Sequence, residues 1–240
     1  DYIFETTREP ETKEYLIRIS KAGQNLLALI NNILELSKIE SGMNTLDLKP
    51  THLAVIIFDT VEMLRERSNK KNIPIKINIT EDLKKSFIIT DQLKLQRIIL
   101  NLLTNAVKFT DKGEITFTIF KRVNNSQTSD LVFEVKDQGI GISPNKIHLL
   151  FKRFSQIDGS ASKKFEGTGL GLSICKEILD LMGGKIDVQS EENVGSTFTF
   201  EIPFVETNDI TLSPKETSQS QVCDKEIHIL LADDSDENRA

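Results

Sequence analysis

Apolar residues recur along the first forty positions with a helical step. Leu16, Ile19, Leu26, Ile30 and Ile33 are separated by three, seven, four and three residues, and Tyr15, Ala22, Leu29 and Leu36 add a second stripe every seven. This pattern predicts one long helix over about 11–40, ended by Gly42. An apolar face so wide is unstable alone in water. The helix is therefore expected to pack on its own domain or to form half of a helical hairpin that dimerises into a four-helix bundle.

Beyond residue 46 the chain alternates between two periods. Helical periodicity falls at 53–70, 92–109 and 169–182, and period-two alternation at 73–79, 86–90, 114–121, 131–136, 185–190 and 196–203. Asn124-Asn-Ser-Gln-Thr-Ser129 reads as a polar hairpin loop. Helices on one face of a sheet built from these runs predict an α+β fold, a two-layer α/β sandwich over 46–206. Residues 207–225 are polar, rich in Ser and Thr, and aperiodic, as a linker would be. Ile227-His-Ile-Leu-Leu-Ala then forms a short apolar run that stops at Asp233-Asp234.

Composition narrows the function. A length of 240 residues with 38% hydrophobic content suits a globular protein. The net charge of -6 argues against a nucleic-acid groove, which requires a basic stripe. No apolar run approaches the ~20 residues of a spanning helix. The first residues, Asp1-Tyr-Ile-Phe-Glu-Thr-Thr-Arg, lack a signal-peptide plan, so a soluble, cytoplasmic piece is expected. Cys175 and Cys223 lie far apart with no CxxC or Cys/His cluster, and Cys175 is expected in the core.

Three segments carry candidate chemistry. Asn101 and Asn105 are four apart in an apolar helical run, so both carboxamides share one face. Asn105 would offer an oxygen to Mg²⁺, and Asn101 would coordinate the metal or orient one of its waters. Lys108 either meets phosphate as a mobile point charge or is a solvated lysine at a helix end. Asp137-Gln-Gly139-Ile-Gly141 follows an alternating strand. Its carboxylate is suited to accept from an adenine amino group, or to cap a turn, and its glycines let backbone approach a ring closely. Gly167-Thr168-Gly169-Leu170-Gly171 opens a helix, placing amide donors at the positive end of the helix dipole, where phosphate is favoured. It is not a P-loop. The aperiodic stretch between the two glycine segments is expected to be a lid, with Phe151 and Phe154 packing at its base and Lys163 or Lys164 reaching the terminal phosphates.

In order and spacing these segments resemble the boxes of two-component sensor histidine kinases: an N box at 91–109, a first glycine box at 137–141, an F box at 150–154 and a second glycine box at 167–172. Leu34-Glu-Leu-Ser-Lys-Ile-Glu-Ser-Gly42, Met182-Gly-Gly-Lys185 and Gly195-Ser-Thr-Phe198 are similar to that family as well. The resemblance implies the Bergerat-type ATP-binding fold shared with type II topoisomerases, Hsp90-class chaperones and mismatch-repair ATPases. It implies ATP and Mg²⁺ as cofactors, with Asn101, Asn105 and Lys108 as catalytic residues. The same residues would bind ATP together with Phe109, Asp137, Gly139, Ile140, Gly141 and Ile142. Further along the chain, Phe154, Lys163, Lys164, Gly167, Thr168, Gly169, Leu170, Gly171 and Leu172 would join them. Residues 1–45 would be the second helix of a dimerisation and histidine-phosphotransfer hairpin, through which the intact protein is a homodimer. Residues 226–240 would begin a receiver domain in which Asp233 and Asp234 help hold Mg²⁺, the alternative being an acidic tail.

In that family the phosphoacceptor histidine is followed by an acidic residue and a short Arg/Lys-Thr-Pro stretch. His52, His148 and His228 have no such neighbours. The acceptor is therefore expected on an upstream helix outside this chain, which reads as a fragment of a longer, hybrid-type kinase. The γ-phosphoryl group would pass to that histidine and then to a receiver aspartate. Relatives that hydrolyse ATP place a glutamate one helical turn before the metal-binding asparagine. Here that place is Asn101, which cannot serve as a base. A degenerate nucleotide-binding scaffold would need damaged boxes, and none is visibly damaged. The sequence does not rank kinase against phosphatase output.

Overall fold

The computed structural model describes residues 45–123, 129–155 and 169–207, with single helical positions between 12 and 37. Its elements are, in chain order, β1 (Lys49–His52), α1 (Leu53–Glu62), α2 (Arg65–Lys71), β2 (Ile75–Ile79), α3 (Glu81–Lys85), β3 (Phe87–Thr90) and α4 (Gln92–Phe109). There follow β4 (Ile115–Val123), β5 (Ser129–Asp137), a 3-10 turn at Pro144–Leu149, α5 (Gly171–Leu181), β6 (Lys185–Glu191) and β7 (Gly195–Pro203).

Alternation in the strands sorts their side chains onto two faces. Ile115, Phe117 and Ile119 of β4 are buried, and register carries the apolar row across the sheet, Phe117 opposite Val135, Ile119 opposite Phe133, and Phe133 opposite Phe200. The rings of Phe133 and Phe200 stack at 4.4 Å. The sheet has five strands in the order β2-β4-β5-β7-β6, with β2 parallel to β4 and the other pairs antiparallel. The apolar stripe of α4, from Leu95 through Ile98, Leu102 and Ala106, joins the same core, and α1 and α5 pack on α4. The expected two-layer α/β sandwich is the observed one.

Three features depart from the sequence expectation. Residues 86–90 do not join the main sheet: β3 pairs antiparallel with β1, a strand the alternation did not predict. Pro50 in β1 lacks an amide donor, which suits it to an edge. Residues 53–70 are two helices. Thr60 Oγ1 donates back to Ile56 O within the buried side of α1, a bond that bends helices, and a tight Leu64 N to Val61 O contact follows. The bend leaves Met63 in solvent and puts Leu64 into the core. Third, residues 81–85 form a short helix where none was expected. Those positions between 12 and 37 that are described are helical, and apolar ones among them, Tyr15, Ile19, Leu26 and Leu34, are exposed. The rest of that segment, the loop 124–128 and everything after 207 lie outside the described residues. The pairing of β4 with β5 fits the predicted hairpin.

Candidate nucleotide site

Helix α4 is held at both ends. At its start the buried Asp91 accepts from Lys94 N (3.0 Å) on one oxygen and from Asp47 N (3.1 Å) and Lys94 Nζ (3.1 Å) on the other. Burial works to raise the Asp91 pKa, but these donors together outweigh it and hold the carboxyl below the usual aspartate value. At the other end the Lys71 ammonium donates to Val107 O (2.8 Å), Lys108 O (2.9 Å) and Thr110 O (3.0 Å). A cation there satisfies terminal carbonyls and matches the negative end of the dipole.

The two asparagines face the same side and touch. Asn105 Nδ2 donates to Asn101 Oδ1 at 3.1 Å, so Asn105 Oδ1 has no hydrogen-bond partner among the described residues. Gly171, the first residue of α5, lies against them: a Cβ there would be 2.4 Å from Asn101 Nδ2. With no Cβ at Gly171, the start of α5 rests on the carboxamide of α4 without displacing it. The N box and the end of the second glycine box thus meet at Asn101 and Gly171, at the N-terminus of α5. Lys108 is partly buried, its ammonium 4.7 Å from the Phe109 ring centroid, and desolvation pushes its pKa down.

At the far end of the site β5 terminates in Asp137, only 6% exposed. Its Oδ1 accepts from Gly139 N (2.8 Å) and Ser196 N (3.3 Å), while Oδ2 has no hydrogen-bond partner among the described residues. Burial raises the Asp137 pKa more than these two amides lower it. Of the two expected roles of Asp137, the structure shows the turn cap, made by Oδ1. The loop 138–142 is wedged between the end of α4 and the β6–β7 turn. Ile140 N donates to Phe109 O (3.3 Å), Asn193 N to Ile140 O (2.7 Å) and Ile142 N to Ser190 Oγ (2.8 Å). A Cβ on Gly139 would lie 2.5 Å from Phe109 O, and one on Gly141, at φ +64°, 1.9 Å from Glu191 O. The close approach these glycines allow in the structure is to the backbone of Phe109 and Glu191.

Other predicted residues are placed less directly. Leu170 is fully buried, and Leu172 is partly buried against the core. Gly169 adopts φ +69°, with its Cβ position 2.9 Å from Ser155 O. Phe151 packs on the core as expected, but Phe154 is 63% exposed at φ +58° and does not pin the segment by packing. Arg153 does that instead, donating through Nε (3.0 Å) and Nη2 (2.8 Å) to Glu177 Oε1 on α5. Lys163, Lys164, Gly167, Thr168, Asp233 and Asp234 lie outside the described residues. His52 meets Phe87 edge-on at 4.8 Å, His148 is exposed, and His228 is outside the described residues. Cys175 is buried in the core. Sequence reasoning missed Lys71, Ser190 and Ser196. Gly195-Ser-Thr-Phe198 was a visible signal for Ser196, whereas nothing local marks Lys71, which acts across 36 to 39 residues of chain.

An unpartnered carboxylate oxygen on Asp137, an unpartnered carboxamide oxygen on Asn105 and the N-terminus of α5 are donors and acceptors of the kinds an adenine nucleotide and its metal need. Residues 90–206 match the family described as histidine kinase-, DNA gyrase B-, and HSP90-like ATPase, and the domain belongs to that family. Its relatives identify the branch. The chain is 37% identical over 203 residues to hybrid signal transduction histidine kinase B of Dictyostelium discoideum, covering 85% of this chain and 10% of that protein. It is 38% identical over 197 residues to the signal transduction histidine-protein kinase BarA of Escherichia coli K12, covering 82% and 21%. With the circadian input-output histidine kinase CikA of Synechococcus elongatus it shares 36% over 226 residues, covering 94% and 29%. The chain thus spans less than a third of these relatives. Among solved structures, full-length ShkA in complex with AMPPNP superposes with a TM-score of 0.70 at 28% identity, covering 85% of this chain and 41% of that one. The nucleotide-free catalytic domain of histidine kinase ThkA gives 0.55 at 27%, covering 65% and 95%. Over residues 90–206 the chain is an ATPase domain of this family, and the relatives it matches are histidine kinases.

Proposed function

We propose that this domain holds Mg·ATP so that its γ-phosphoryl group passes to a histidine imidazole on a helix outside the chain, for relay to a receiver aspartate. The observation that carries the reading is the paired carboxamides of Asn101 and Asn105 against Gly171. They form a ligand site with no carboxylate at the place where a water-activating base would stand, which favours transfer to a protein acceptor over hydrolysis. Asp137 Oδ2 accepts from the adenine amino group, and the amides of Gly139 to Ile142 line the ring. Asn105 Oδ1 is the metal ligand, Asn101 orients a metal-bound water, and Lys108 faces the phosphates, with Lys163 or Lys164 joining it. Mg²⁺, when bound, neutralises phosphate charge; the chain's own residues position the donor.

The exposed apolar positions between 12 and 37 support homodimerisation through that helix in the intact protein. The hybrid relatives support a receiver domain in cis, beginning near Asp233 and Asp234. No helix of the described residues is long and apolar enough to cross a membrane, and a cytoplasmic location suits ATP and the relay. The test supplies radiolabelled ATP and a separate helical hairpin bearing a histidine-acidic-x-basic-Thr-Pro stretch. Alkali-stable, acid-labile label on the hairpin and none on the chain is the expected result. Label on the chain that disappears in His148→Gln, or steady phosphate release without the hairpin, would overturn the reading.

A further inference from the structure

We propose that Ser190 is a positioning residue for the adenine end of the site, its hydroxyl joining the glycine loop to the strand that orients Asp137. The inference rests on the nucleotide reading above and adds a residue to it. A serine hydroxyl has one proton to give and two lone pairs to receive. Ser190 Oγ uses all three: it accepts from Ile142 N at 2.8 Å, donates to Gly195 O at 2.9 Å, and lies 2.9 Å from Ser196 Oγ, which donates the third bond. The neighbouring amide, Ser196 N, is one of the two donors on Asp137 Oδ1. Gly195 sits directly on the Asp137 backbone, a Cβ there falling 2.1 Å from Asp137 O.

One hydroxyl therefore makes two ties. It ties the loop 138–142 to β6, and it adds to the strand pairing that holds the start of β7, whose Ser196 amide donates to Asp137 Oδ1. Among the described residues the loop's other ties, Ile140 N to Phe109 O and Asn193 N to Ile140 O, hold its middle, and Ile142 N has Ser190 as its acceptor. Ser190 itself is a positioning residue and not a ligand contact, since its three bonds are internal. Its removal strands an amide, a carbonyl and a hydroxyl at once, and the loop loses its register to Asp137.

The experiment measures binding of Mg·ATP and of Mg·tripolyphosphate, which lacks the adenosine, to the whole chain by calorimetry. For Ser190→Ala we expect about a tenfold loss for Mg·ATP, the effect of one or two lost hydrogen bonds, with Mg·tripolyphosphate unchanged. Ser190→Thr, which keeps the hydroxyl, should restore ATP affinity. If Ser190→Ala does not fold, Ser190→Cys, similar in size and a weak partner, should show a smaller loss confined to ATP. Equal ATP affinity in wild type and variant overturns the proposal, as does an equal loss for both ligands, which would mark a general loosening. A wild-type chain that does not bind ATP would instead remove the nucleotide reading, and this inference with it.

Discussion

Asp137 and Asn105 each leave one oxygen without an internal partner, yet they are held by different means. Asp137 is buried, its other oxygen is taken by two backbone amides, and the loop beside it is tied at Ile140, Ile142 and Asn193. Asn105 is half-exposed and held by a single side-chain hydrogen bond to Asn101, which in turn rests on Gly171. The adenine end is built from backbone and is finished when the chain folds. The Asn101–Asn105 end is built from side chains, and on the reading proposed above a bound cation would complete its order. Pre-organisation of this kind places the ordering cost in folding at one end and in binding at the other. Substitutions in the backbone-built loop of the adenine end should therefore move stability and affinity together, whereas those at the metal end should move affinity alone.

The largest effect is expected at Gly141. Alanine there needs a left-handed backbone and puts Cβ against a backbone carbonyl of the β6–β7 turn, so the turn must shift. We expect Gly141→Ala to cost about 3 kcal/mol of stability in chemical denaturation, from strain plus displaced packing, with ATP binding lost in parallel. Unchanged stability would show that this loop is not the rigid half of the comparison.

Asp137→Asn separates the two oxygens. The carboxamide oxygen can keep the Gly139 and Ser196 amides, so the fold survives, but the outward atom becomes NH₂ and meets an amino group donor to donor. A lost charge-assisted bond of roughly 1.5–3 kcal/mol corresponds to about ten- to 150-fold in affinity for ATP. GTP should compete poorly with the wild type, and tight GTP binding by the unmodified chain would remove Asp137 from this role. Asn105→Ala tests the other end. Its effect should be confined to the Mg²⁺-dependent part of ATP affinity, about 1 kcal/mol, with stability changed by less than about 0.5 kcal/mol. If calorimetry gives equal Mg·ATP affinity for both proteins, the metal assignment fails.

How much of this was legible depended on whether a residue's task was local. Alternation along 131–136 and the apolar step along 92–109 carry their own signal, because each strand or helix sorts its faces by period. The glycine boxes were legible for the same reason: a glycine that admits a backbone or a carboxamide is needed at one position only. β1 was hidden because Lys-Pro-Thr-His has too few alternating residues to show a period. The break at Met63 depends on whether Leu64 finds room in the core, which is a property of packing. Lys71 was illegible as a helix cap because it acts on a turn far along the chain, and on the page of sequence it is one more lysine at a helix end.

The smallest effect, and the one that places both ends on one axis, is pH. Burial raises the Asp137 pKa, so in the folded chain it takes up its proton at a higher pH than in the unfolded chain. Between those two values the folded state binds more protons. The cost of burying the charged form is therefore relieved as pH falls, and this residue's contribution to stability improves on acidification. Its function moves the opposite way, since a protonated Oδ2 no longer accepts freely from an amino group. Asp91 has the reverse sign: its pKa is lowered, so the stability it lends α4 is present above the ordinary aspartate value and is lost only as pH falls through the lowered one. On descending pH, ATP affinity should thus weaken first, by at most about tenfold per pH unit, while the cap on α4 remains intact. Titrating wild type and Asp137→Asn side by side isolates the effect, because protonation of the nucleotide phosphates is common to both. A steeper loss of affinity in the wild type than in Asp137→Asn is the expected outcome; parallel curves would assign the pH dependence to the phosphates and leave Asp137 charged throughout.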